Sequence, residues 1–271
     1  MTLKKATDSD KVLHLIEEFK RGSSLSNCFL MGTELVQLVQ AGLLSYSVDG
    51  PNAFILEDKG NCYRIHYILN DTDSGFSLVL DKPLMLEILF RGKDGEPESA
   101  VAYWSCQGFS RNLVRNNLAA KFSDLRITTA GNSNEIYFAE TEEEGGFAKT
   151  LFNNAFDPYS GDLVTSEEIE GLLKNRQILI ASHNGKNCGA LHFYNVGKCA
   201  WIGHVAICPE VQGHGYGSAL VSEFIRLNHV DDKSRYSLWV QAQNRPAVVM
   251  YERFGFKYTG KSSLSMIKRN T

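Results

Sequence analysis

The chain has 271 residues, of which 43% are apolar and 22% are charged, and its formal net charge is −3. This composition is typical of a globular protein with room for two α/β cores, and it excludes a disordered chain or a fibrous repeat. Proteins that bind nucleic acid usually cluster Lys and Arg, and no such cluster stands out here, so we expect no nucleic-acid partner.

The N-terminal segment and the cysteines indicate where the protein works. The first eight residues lack the apolar run of a signal peptide, and no stretch reaches the roughly 18 apolar residues that a membrane-spanning helix needs. The six cysteines are scattered without a CxxC pair, which favours reduced thiols over a disulfide framework or a metal site. We therefore expect a cytoplasmic protein, monomeric or homodimeric, with no membrane partner and no bound metal.

The first part of the chain, residues 1–128, is predicted to form one domain. Its hydrophobic spacing predicts helices over 9–19 and 32–41, and strands over 53–57, 62–69, 76–80 and 84–90.

The second part, residues 129–271, alternates between helical and strand patterns. A strand near 135–139 precedes a helix over 143–156 and a short helix capped by Thr165 or Ser166. The remaining elements follow in a regular order: strands 177–183 and 188–195 around an Asn-Gly turn, strand 200–208, helix 217–228, strand 236–242, helix 246–254, and two closing strands within 256–267.

One segment recurs after 147 residues. The ten residues from Ala100 to Phe109 align with those from Ala247 to Phe256, and in both a short predicted helix ends at a Gly-Phe pair. The shared strand–helix–strand context predicts an internal duplication. The alternative is two unrelated helices that share a glycine C-cap.

The sharpest chemical pattern is a glycine-rich loop between a predicted strand and a predicted helix. It reads Gln212-Gly-His-Gly-Tyr-Gly217, and its glycines allow tight turns and close approach of a ligand to the backbone. Because the loop opens a helix, several free N–H groups and the positive end of the helix dipole meet at one point, which suits a pyrophosphate. A plain strand-to-helix turn also uses glycines, so the loop gains weight only from its context.

That context is a resemblance to a known family. The order Pro209, Gln212, Gly215, Gly217 resembles the Gln/Arg-x-x-Gly-x-Gly/Ala motif of the GCN5-related N-acetyltransferase (GNAT) superfamily, and the segment beginning at Asn244 resembles a second element of that family. The resemblance implies an α/β fold with a mixed, mostly antiparallel GNAT-type sheet flanked by helices. Combined with the repeat, it implies two tandem domains: a degenerate, non-catalytic copy in 1–128 and a catalytic domain in 129–271.

The resemblance also implies acetyl-CoA as the cofactor, with its pantetheine arm between two splayed strands. It assigns the following residues to cofactor binding, mostly through backbone N–H groups: Ile207, Val211, Gln212, Gly213, His214, Gly215, Tyr216, Gly217, Ser218 and Asn244. Asn244 is nearly as well suited to capping the helix ahead of Pro246.

Two side chains are candidates for the acid–base chemistry. Tyr251 matches the family's phenol that protonates the leaving thiolate, and the alternative is a core aromatic residue. An alkylammonium with a pKa near 10.4 costs about 4.6 kcal/mol to neutralise at pH 7, so a base or a water chain must take its proton. Many relatives carry a Glu on the strand equivalent to 200–208. Here His204 is the only titratable side chain between Trp201 and Ile207, and it is either the base or a buried, hydrogen-bonded histidine.

The resemblance implies an acetyl-CoA-dependent N-acetyltransferase that acts on a primary amine of a small molecule by direct attack in a ternary complex. The alternatives are a protein N-terminal or lysine acetyltransferase and a non-catalytic acyl-CoA-binding sensor. Residues 135–170 are acidic, with Lys149 as their only basic residue, so they could either attract a cationic amine or form a solvated face.

A competing pattern lies close to the C-terminus. Residues 255–262 match the P-loop expression GxxxxGK[ST], which requires a following helix. The segment predicts strand–turn–strand instead, with the turn at Gly260-Lys261, and we therefore reject nucleotide binding there.

Overall fold

The computed structural model describes residues 2–23, 25–78, 80–126, 135–160, 163–232 and 234–269. These residues form two compact units. The first unit contains Met1–Val114 and Ser262–Thr271, and the second unit contains Arg115–Lys261. The boundaries of these units differ from those of the predicted domains, 1–128 and 129–271. The reason is that two long strands each contribute one half to each unit.

The first unit is a sheet with helices on both faces. Its elements in chain order are β1 (Lys4–Lys5), α1 (Ser9–Lys20), β2 (Leu25–Ser26), α2 (Gly32–Gln40), β3 (Leu44–Asp49), β4 (Asn52–Asp58), β5 (Tyr63–Leu69), β6 (Leu84–Arg91), α3 (Glu98–Cys106) and the first half of β7 (Ser110–Lys121). The strand order is β1-β3-β4-β5-β6-β13-β7, where β13 (Lys257–Lys268) enters with its second half, and β2 pairs with β5.

The alternation of side chains along β4 assigns the helices of the first unit to opposite faces. Ala53 and Ile55 pack with the buried residues of α1 and α2, whereas Phe54 and Leu56 pack on the other face with α3. Trp104 of α3 is completely buried there, with its ring centroid 4.9–6.4 Å from those of five aromatic side chains. Trp104 therefore serves as a core residue.

The second unit has the same general layout. Its elements are the second half of β7, β8 (Glu135–Phe138), α4 (Glu142–Ala155), α5 (Ser166–Lys174), β9 (Ile178–His183), β10 (Lys186–Val196), β11 (Cys199–Ile207), α6 (Tyr216–Leu227), β12 (Arg235–Gln241), α7 (Arg245–Phe254) and the first half of β13. Its strand order is β13-β7-β12-β11-β10-β9-β8. Ile178 and Ile180 face α4 and α5, whereas Leu191 and Phe193 face α6 and α7.

Local sequence accounts for the starts and turns of these elements. Thr141 with Glu144, and Thr165 with Glu168, form complete capping boxes at α4 and α5, so Thr165 is the N-cap. The turn between β9 and β10 has φ of 51° at Asn184 and 74° at Gly185, the left-handed values that make Asn-Gly a hairpin turn. The predicted order of elements from 135 to 254 is confirmed, with boundaries shifted by one or two residues.

The described elements differ from the expectations in three places. The described residues of 76–80 contain no strand. Residues 44–49, which were not predicted, are a strand, whereas the strand expected after the Gly108-Phe109 pair is present over 110–121. The two closing strands with a turn at Gly260-Lys261 are one continuous strand, β13, in which Gly260 has φ +83°. Glycine tolerates this value inside a strand, and the strand continues through it. The described residues that follow, up to 269, contain no helix.

The repeated segments end their helices with the same hydrogen bonds. Gly108 and Gly255 have φ of +85° and +98°, and each lies just after its helix. Phe109 N–H donates to Trp104 O at 3.0 Å, and Phe256 N–H donates to Tyr251 O at 3.1 Å. A shared cap is what both the duplication and its alternative expect, so the duplication stays a prediction.

Candidate active site

Two parallel strands of the second unit separate partway along their length. β11 pairs with β12 from Cys199, opposite Arg235, to Ile202, opposite Leu238. The pairing ends there, although β11 continues to Ile207 and β12 to Gln241. We call the space between the strands beyond Ile202 and Leu238 the second-unit gap. Beyond Ile202, β11 has no ladder pairing with β12.

A bulge lies at the start of the second-unit gap. On β10, His192 pairs with His204 while the next residue, Phe193, pairs with Ile202, so Gly203 is the extra residue of β11. The bulge turns His204 toward α4, whereas Ile202 and Val205 both face the α6 side. A Cβ on Gly203 would lie 2.6 Å from His192 Nδ1, so this position requires glycine.

The loop after β11 is held by its own hydrogen bonds. Val211 N–H donates to Cys208 O at 3.1 Å, and Gln212 Nε2 donates to Ile207 O at 3.1 Å. His214 is exposed, and its Nδ1 lies 3.0 Å from Gln212 O. The backbone donor that the sequence assigned to Val211 is therefore used within the loop, because the turn at Pro209–Val211 closes on itself.

The start of α6 remains open. Its N-cap is Gly215, with φ +90°, and no side chain caps the helix. Gly213 also has a positive φ, +81°, and a Cβ at either glycine would meet no heavy atom within 4 Å. The first turn, Tyr216 to Ser218, thus carries N–H groups that a helix cannot satisfy internally. These residues stand where the sequence predicted an anion site.

The two remaining predicted contacts differ in character. Ile207 ends β11 and is partly buried against the core of the second unit. Asn244 is the N-cap of α7, and its Oδ1 accepts from Ala247 N–H at 3.2 Å. The capping role of Asn244 is confirmed, while a contact with a cofactor stays a prediction.

Tyr251 lies on α7 inside the core of the second unit. Its side chain is buried, and its ring centroid lies 5.7 Å from that of Phe256. Burial raises the pKa of the phenol well above its usual range, so the hydroxyl keeps its proton at neutral pH. The packing agrees with the core alternative, and the protonated phenol suits a proton donor.

His204 faces α4 and is paired with a second histidine that the sequence did not single out. Its ring lies 5.2 Å from that of Phe152 and 4.8 Å from that of Phe156. His192 Nδ1 lies 3.3 Å from His204 Nδ1. If β10 and β11 paired regularly from their turn, His192 would lie opposite Gly203. The bulge places it opposite His204 instead.

Three carboxylates of the acidic segment lie away from this histidine pair. Glu142 and Glu143 are exposed, and Glu144 caps its own helix by accepting from the N–H groups of Glu140 and Thr141 at 2.8 and 3.0 Å. These carboxylates lie in the first turn of α4, and His204 contacts its other end. They form a solvated face rather than a wall beside His204.

The first unit contains a comparable strand pair. β5 and β6 are parallel and pair only at Tyr63 with Leu84 and at Arg64 with Met85. We call the space beyond these residues the first-unit gap. Asn27 fills it: its Nδ2 donates to Ile65 O of β5 at 3.0 Å and to Glu87 O of β6 at 2.9 Å. Its Oδ1 accepts from Tyr67 N–H at 2.6 Å.

Two other kinds of site were searched for. No helix among the described residues is long and apolar enough to cross a membrane. The described part of the chain also brings together no three His, Cys, Asp or Glu side chains that could hold a metal ion.

Comparison with known proteins identifies part of the chain. Residues 136–256 match the model of the acetyltransferase (GNAT) family. The chain is 32% identical over 74 residues to an uncharacterized N-acetyltransferase of Methanocaldococcus jannaschii, a match that covers 27% of this chain and 33% of that protein. It is 32% identical over 82 residues to a Bacillus subtilis protein provisionally named a ribosomal protein bS18-alanine N-acetyltransferase, covering 30% of this chain and 54% of that protein. The chain thus spans about a third and about half of these relatives.

Solved structures extend the likeness to the whole chain. A GCN5-related N-acetyltransferase from Sphaerobacter thermophilus aligns with a TM-score of 0.63 and 13% identity over 99% of this chain and 95% of that chain. A tandem GNAT protein from the clavulanic acid biosynthesis pathway aligns with a TM-score of 0.57 and 12% identity over 99% and 98%. At such low identity these likenesses establish the fold alone, which is the predicted mixed α/β GNAT-type fold. The match to the GNAT family model covers residues 136–256, which carry the second-unit gap and the glycine loop.

Proposed function

We propose that this chain is an acetyl-CoA-dependent N-acetyltransferase that acts on a primary amine by direct attack in a ternary complex. One observation carries the proposal: α6 begins at Gly215 without a side-chain cap, one short loop after β11 has parted from β12. A strand edge that β12 does not pair and a helix start suited to an anion therefore follow each other along the chain. A nucleotide diphosphate joined to an amide-bearing arm fits both.

The cofactor would be held mainly by the backbone. The N–H groups of Tyr216, Gly217 and Ser218, together with the positive end of the helix dipole, suit the pyrophosphate. The absence of Cβ atoms at Gly213 and Gly215 leaves space for its approach. Bound in this way, acetyl-CoA supplies an activated acyl thioester, and the edge of β11 offers N–H groups to its arm and to the oxyanion.

Tyr251 is the proposed general acid. Because burial raises its pKa, the phenol remains protonated and can give its proton to the departing thiolate. His204 is the proposed acceptor of the ammonium proton, since no carboxylate stands on β11. The role of Tyr251 follows the family resemblance, and its burial supports it. The role of His204 departs from the family pattern and is supported by its place on β11.

Two observations bear on the acceptor. Two apolar rings, Phe152 of α4 and Phe156 just after it, lie against His204, which favours a compact amine over a peptide chain. The name of the Bacillus subtilis relative favours a protein N-terminus instead. We propose a small-molecule amine and keep the protein N-terminus as the second candidate.

The cofactor site can be tested without disturbing the fold. Ser218→Glu places a carboxylate at the third position of α6, where Glu stabilises a helix N-terminus. The same charge repels a pyrophosphate, so CoA affinity should fall at least tenfold while the thermal midpoint holds or rises. Ser218→Gln is the neutral control and should lose much less affinity. Equal CoA affinity of the Glu variant and the wild type, measured by calorimetry, would remove the site from α6.

Turnover separates the enzyme from the sensor. Release of the CoA thiol from acetyl-CoA should depend on an added primary amine, and a panel should contain small amines beside peptides with free N-termini. Amine-dependent release with the small amines supports the proposal, and release with peptides alone supports the second candidate. Tight CoA binding without release for any amine would identify a sensor.

A further inference from the structure

The two imidazoles on the α4 side of the second unit form a hydrogen-bonded pair. His192 Nδ1 and His204 Nδ1 are 3.3 Å apart, and the ring planes are inclined by 21°. Two ring nitrogens form a hydrogen bond only when one carries a hydrogen and the other a lone pair. The contact therefore fixes opposite Nδ1 states in the two rings.

The surroundings favour an uncharged His192. Burial and the neighbouring His204 lower the pKa of His192 to about 4, so it is neutral at pH 7. On β9 the residue opposite His192 is Ile178, and on its own strand the ring of Tyr194 lies 5.9 Å away. Two residues after the end of α4, the carboxylate of Asp157 accepts from Tyr159 N–H and from the N–H and hydroxyl of Ser160.

Backbone geometry dictates that these rings meet. Without the bulge at Gly203, the alternation of β11 would send His204 to the α6 side, away from His192. With any larger residue at 203, a Cβ would collide with the His192 ring at 2.6 Å. The bulge, the glycine and the two histidines thus form one arrangement.

We propose that His192 is a positioning residue that holds His204 in the tautomer with hydrogen on Nδ1, and so makes Nε2 of His204 the proton acceptor for the attacking amine. This inference rests on the proposed function. When the ammonium loses its proton, its N–H bond breaks and a bond from hydrogen to His204 Nε2 forms. The freed amine lone pair then attacks the thioester carbonyl carbon to form the C–N bond, and the C–S bond breaks as the leaving thiolate takes the proton of Tyr251. The second proton that the acylated nitrogen loses restores the Tyr251 phenol, so that the products are the amide, the free thiol and a protonated His204.

The pair is suited to both protonation states of His204. Before transfer, His204 Nδ1–H donates to the lone pair on His192 Nδ1. After transfer, His204 is an imidazolium, and the same Nδ1–H still donates to the same lone pair. His192 can remain neutral throughout, so the cation is stabilised by a hydrogen bond in a site that holds no carboxylate on β11.

The test compares two substitutions of His192. Leu removes the Nδ1 acceptor and keeps a similar volume, whereas Asn keeps an acceptor oxygen near the position of Nδ1. We expect His192→Leu to lower kcat/KM at pH 7 at least tenfold, toward the loss of about 10²–10⁴-fold expected for His204→Gln. His192→Asn should recover most of the activity, and CoA affinity should change little in all three variants. The pH dependence of kcat/KM should contain the ionisation of the proton acceptor. The apparent pKa of that ionisation should change in the Leu variant and return to the wild-type value in the Asn variant.

A second readout does not depend on activity. Nitrogen-15 chemical shifts of His204 distinguish the Nδ1–H from the Nε2–H tautomer, and the wild type should show hydrogen on Nδ1. His192→Leu should shift His204 toward the Nε2–H form that free histidine prefers.

The outcomes separate the inference from the proposed function. A wild type with the Nδ1–H tautomer but no amine-dependent turnover would contradict the function and leave the pairing intact. An active wild type whose rate, pH profile and tautomer are all unchanged by His192→Leu would overturn the inference.

Discussion

The two units each contain a parallel strand pair that opens, and they use the opening differently. In the first unit β5 and β6 part after Arg64 and Met85, and Asn27 bridges them with hydrogen bonds to both strands. In the second unit β11 and β12 part after Ile202 and Leu238, and an uncapped helix start follows β11.

The difference originates in the segment between the first two helices of each unit. In the first unit this segment contains β2, which pairs with β5 at Leu25 and Ser26 and carries Asn27 into the first-unit gap. In the second unit the described part of the connection from α4 to α5 forms no strand. We therefore expect an opened strand pair to bind a ligand only where no other part of the chain fills the space between the strands. We accordingly expect a cofactor in the second unit alone.

The largest effect should come from matched positions in the repeated helices. Tyr251→Phe removes one hydroxyl and should lower kcat about 10²–10⁴-fold with CoA affinity nearly intact. Trp104→Phe in the first unit should lower the thermal midpoint and leave kcat unchanged, because Trp104 only packs. If Tyr251→Phe keeps the wild-type kcat under conditions where chemistry limits turnover, the prediction is wrong. Tyr251 would then be a packing residue, as Trp104 is.

The pH dependence of stability should belong mainly to the first unit. Burial alone would raise the pKa of Glu57, but a hydrogen bond from His66 and the charges of Lys59 and Arg64 outweigh it and lower the pKa from 4.5 to about 2. A pKa lowered by folding contributes stability above the unfolded pKa, and this contribution is lost as the pH falls toward 2. We expect a loss of about 3 kcal/mol between pH 5 and pH 2 in urea titrations. Glu57→Gln should flatten this dependence, and an unchanged slope would contradict the assignment.

Removing the bridge in the first unit should weaken the fold without creating a cofactor site. Asn27→Ala leaves Tyr67 N–H and two carbonyls without their partner, which should cost about 2–3 kcal/mol of unfolding free energy. Asn27→Asp keeps the acceptor for Tyr67 N–H but places a buried carboxylate oxygen against the carbonyls of Ile65 and Glu87, so it should cost at least as much. Calorimetry should find no second CoA site in either variant. A second site in Asn27→Ala would mean that the side chain alone blocks the first-unit gap.

The smallest effect separates the two roles of Asn244. Asn244→Ala removes an N-cap and should cost about 1 kcal/mol of stability, whereas Asn244→Ser should restore the cap. If Asn244 also contacts the cofactor, as we expect, both variants should lose CoA affinity by about fivefold, the value of one hydrogen bond of about 1 kcal/mol. Full affinity in Asn244→Ser would reduce Asn244 to a cap.

Local signals in the sequence predicted much of the second unit. The Asn184-Gly185 turn, the capping box at Thr165 and the glycine loop each depend on residues within a few positions of one another. Such features are set by backbone preferences that the residues carry with them wherever they occur. The same logic identified both repeated helix ends.

Features that depend on distant partners were missed. The pairing of the polar strand β7 was not predicted: its buried Asn117 donates to Ser237 Oγ at 3.1 Å and to Leu238 O at 2.9 Å, which lie 120 and 121 positions away. The bridge by Asn27 joins residues that are 38 and 60 positions apart. The pairing of His192 with His204 depends on a one-residue bulge that no hydrophobic pattern announces. Neither composition nor periodicity carries such register information.

The division of β13 between the units has a consequence for biosynthesis. Its second half lies between β6 and β7 in the sheet of the first unit, where Leu264 and Met266 are buried in the core. Ser110 Oγ donates to Ile267 O across 157 positions of the chain. At translation rates of about 5–20 residues per second, the ribosome needs roughly 8–30 s to supply that missing strand after residues 1–114 have been made. During this interval β6 and the first half of β7 lack the strand that lies between them. The apolar surface that stays exposed there is available to a chaperone. The part of the protein that is synthesised first is therefore completed last.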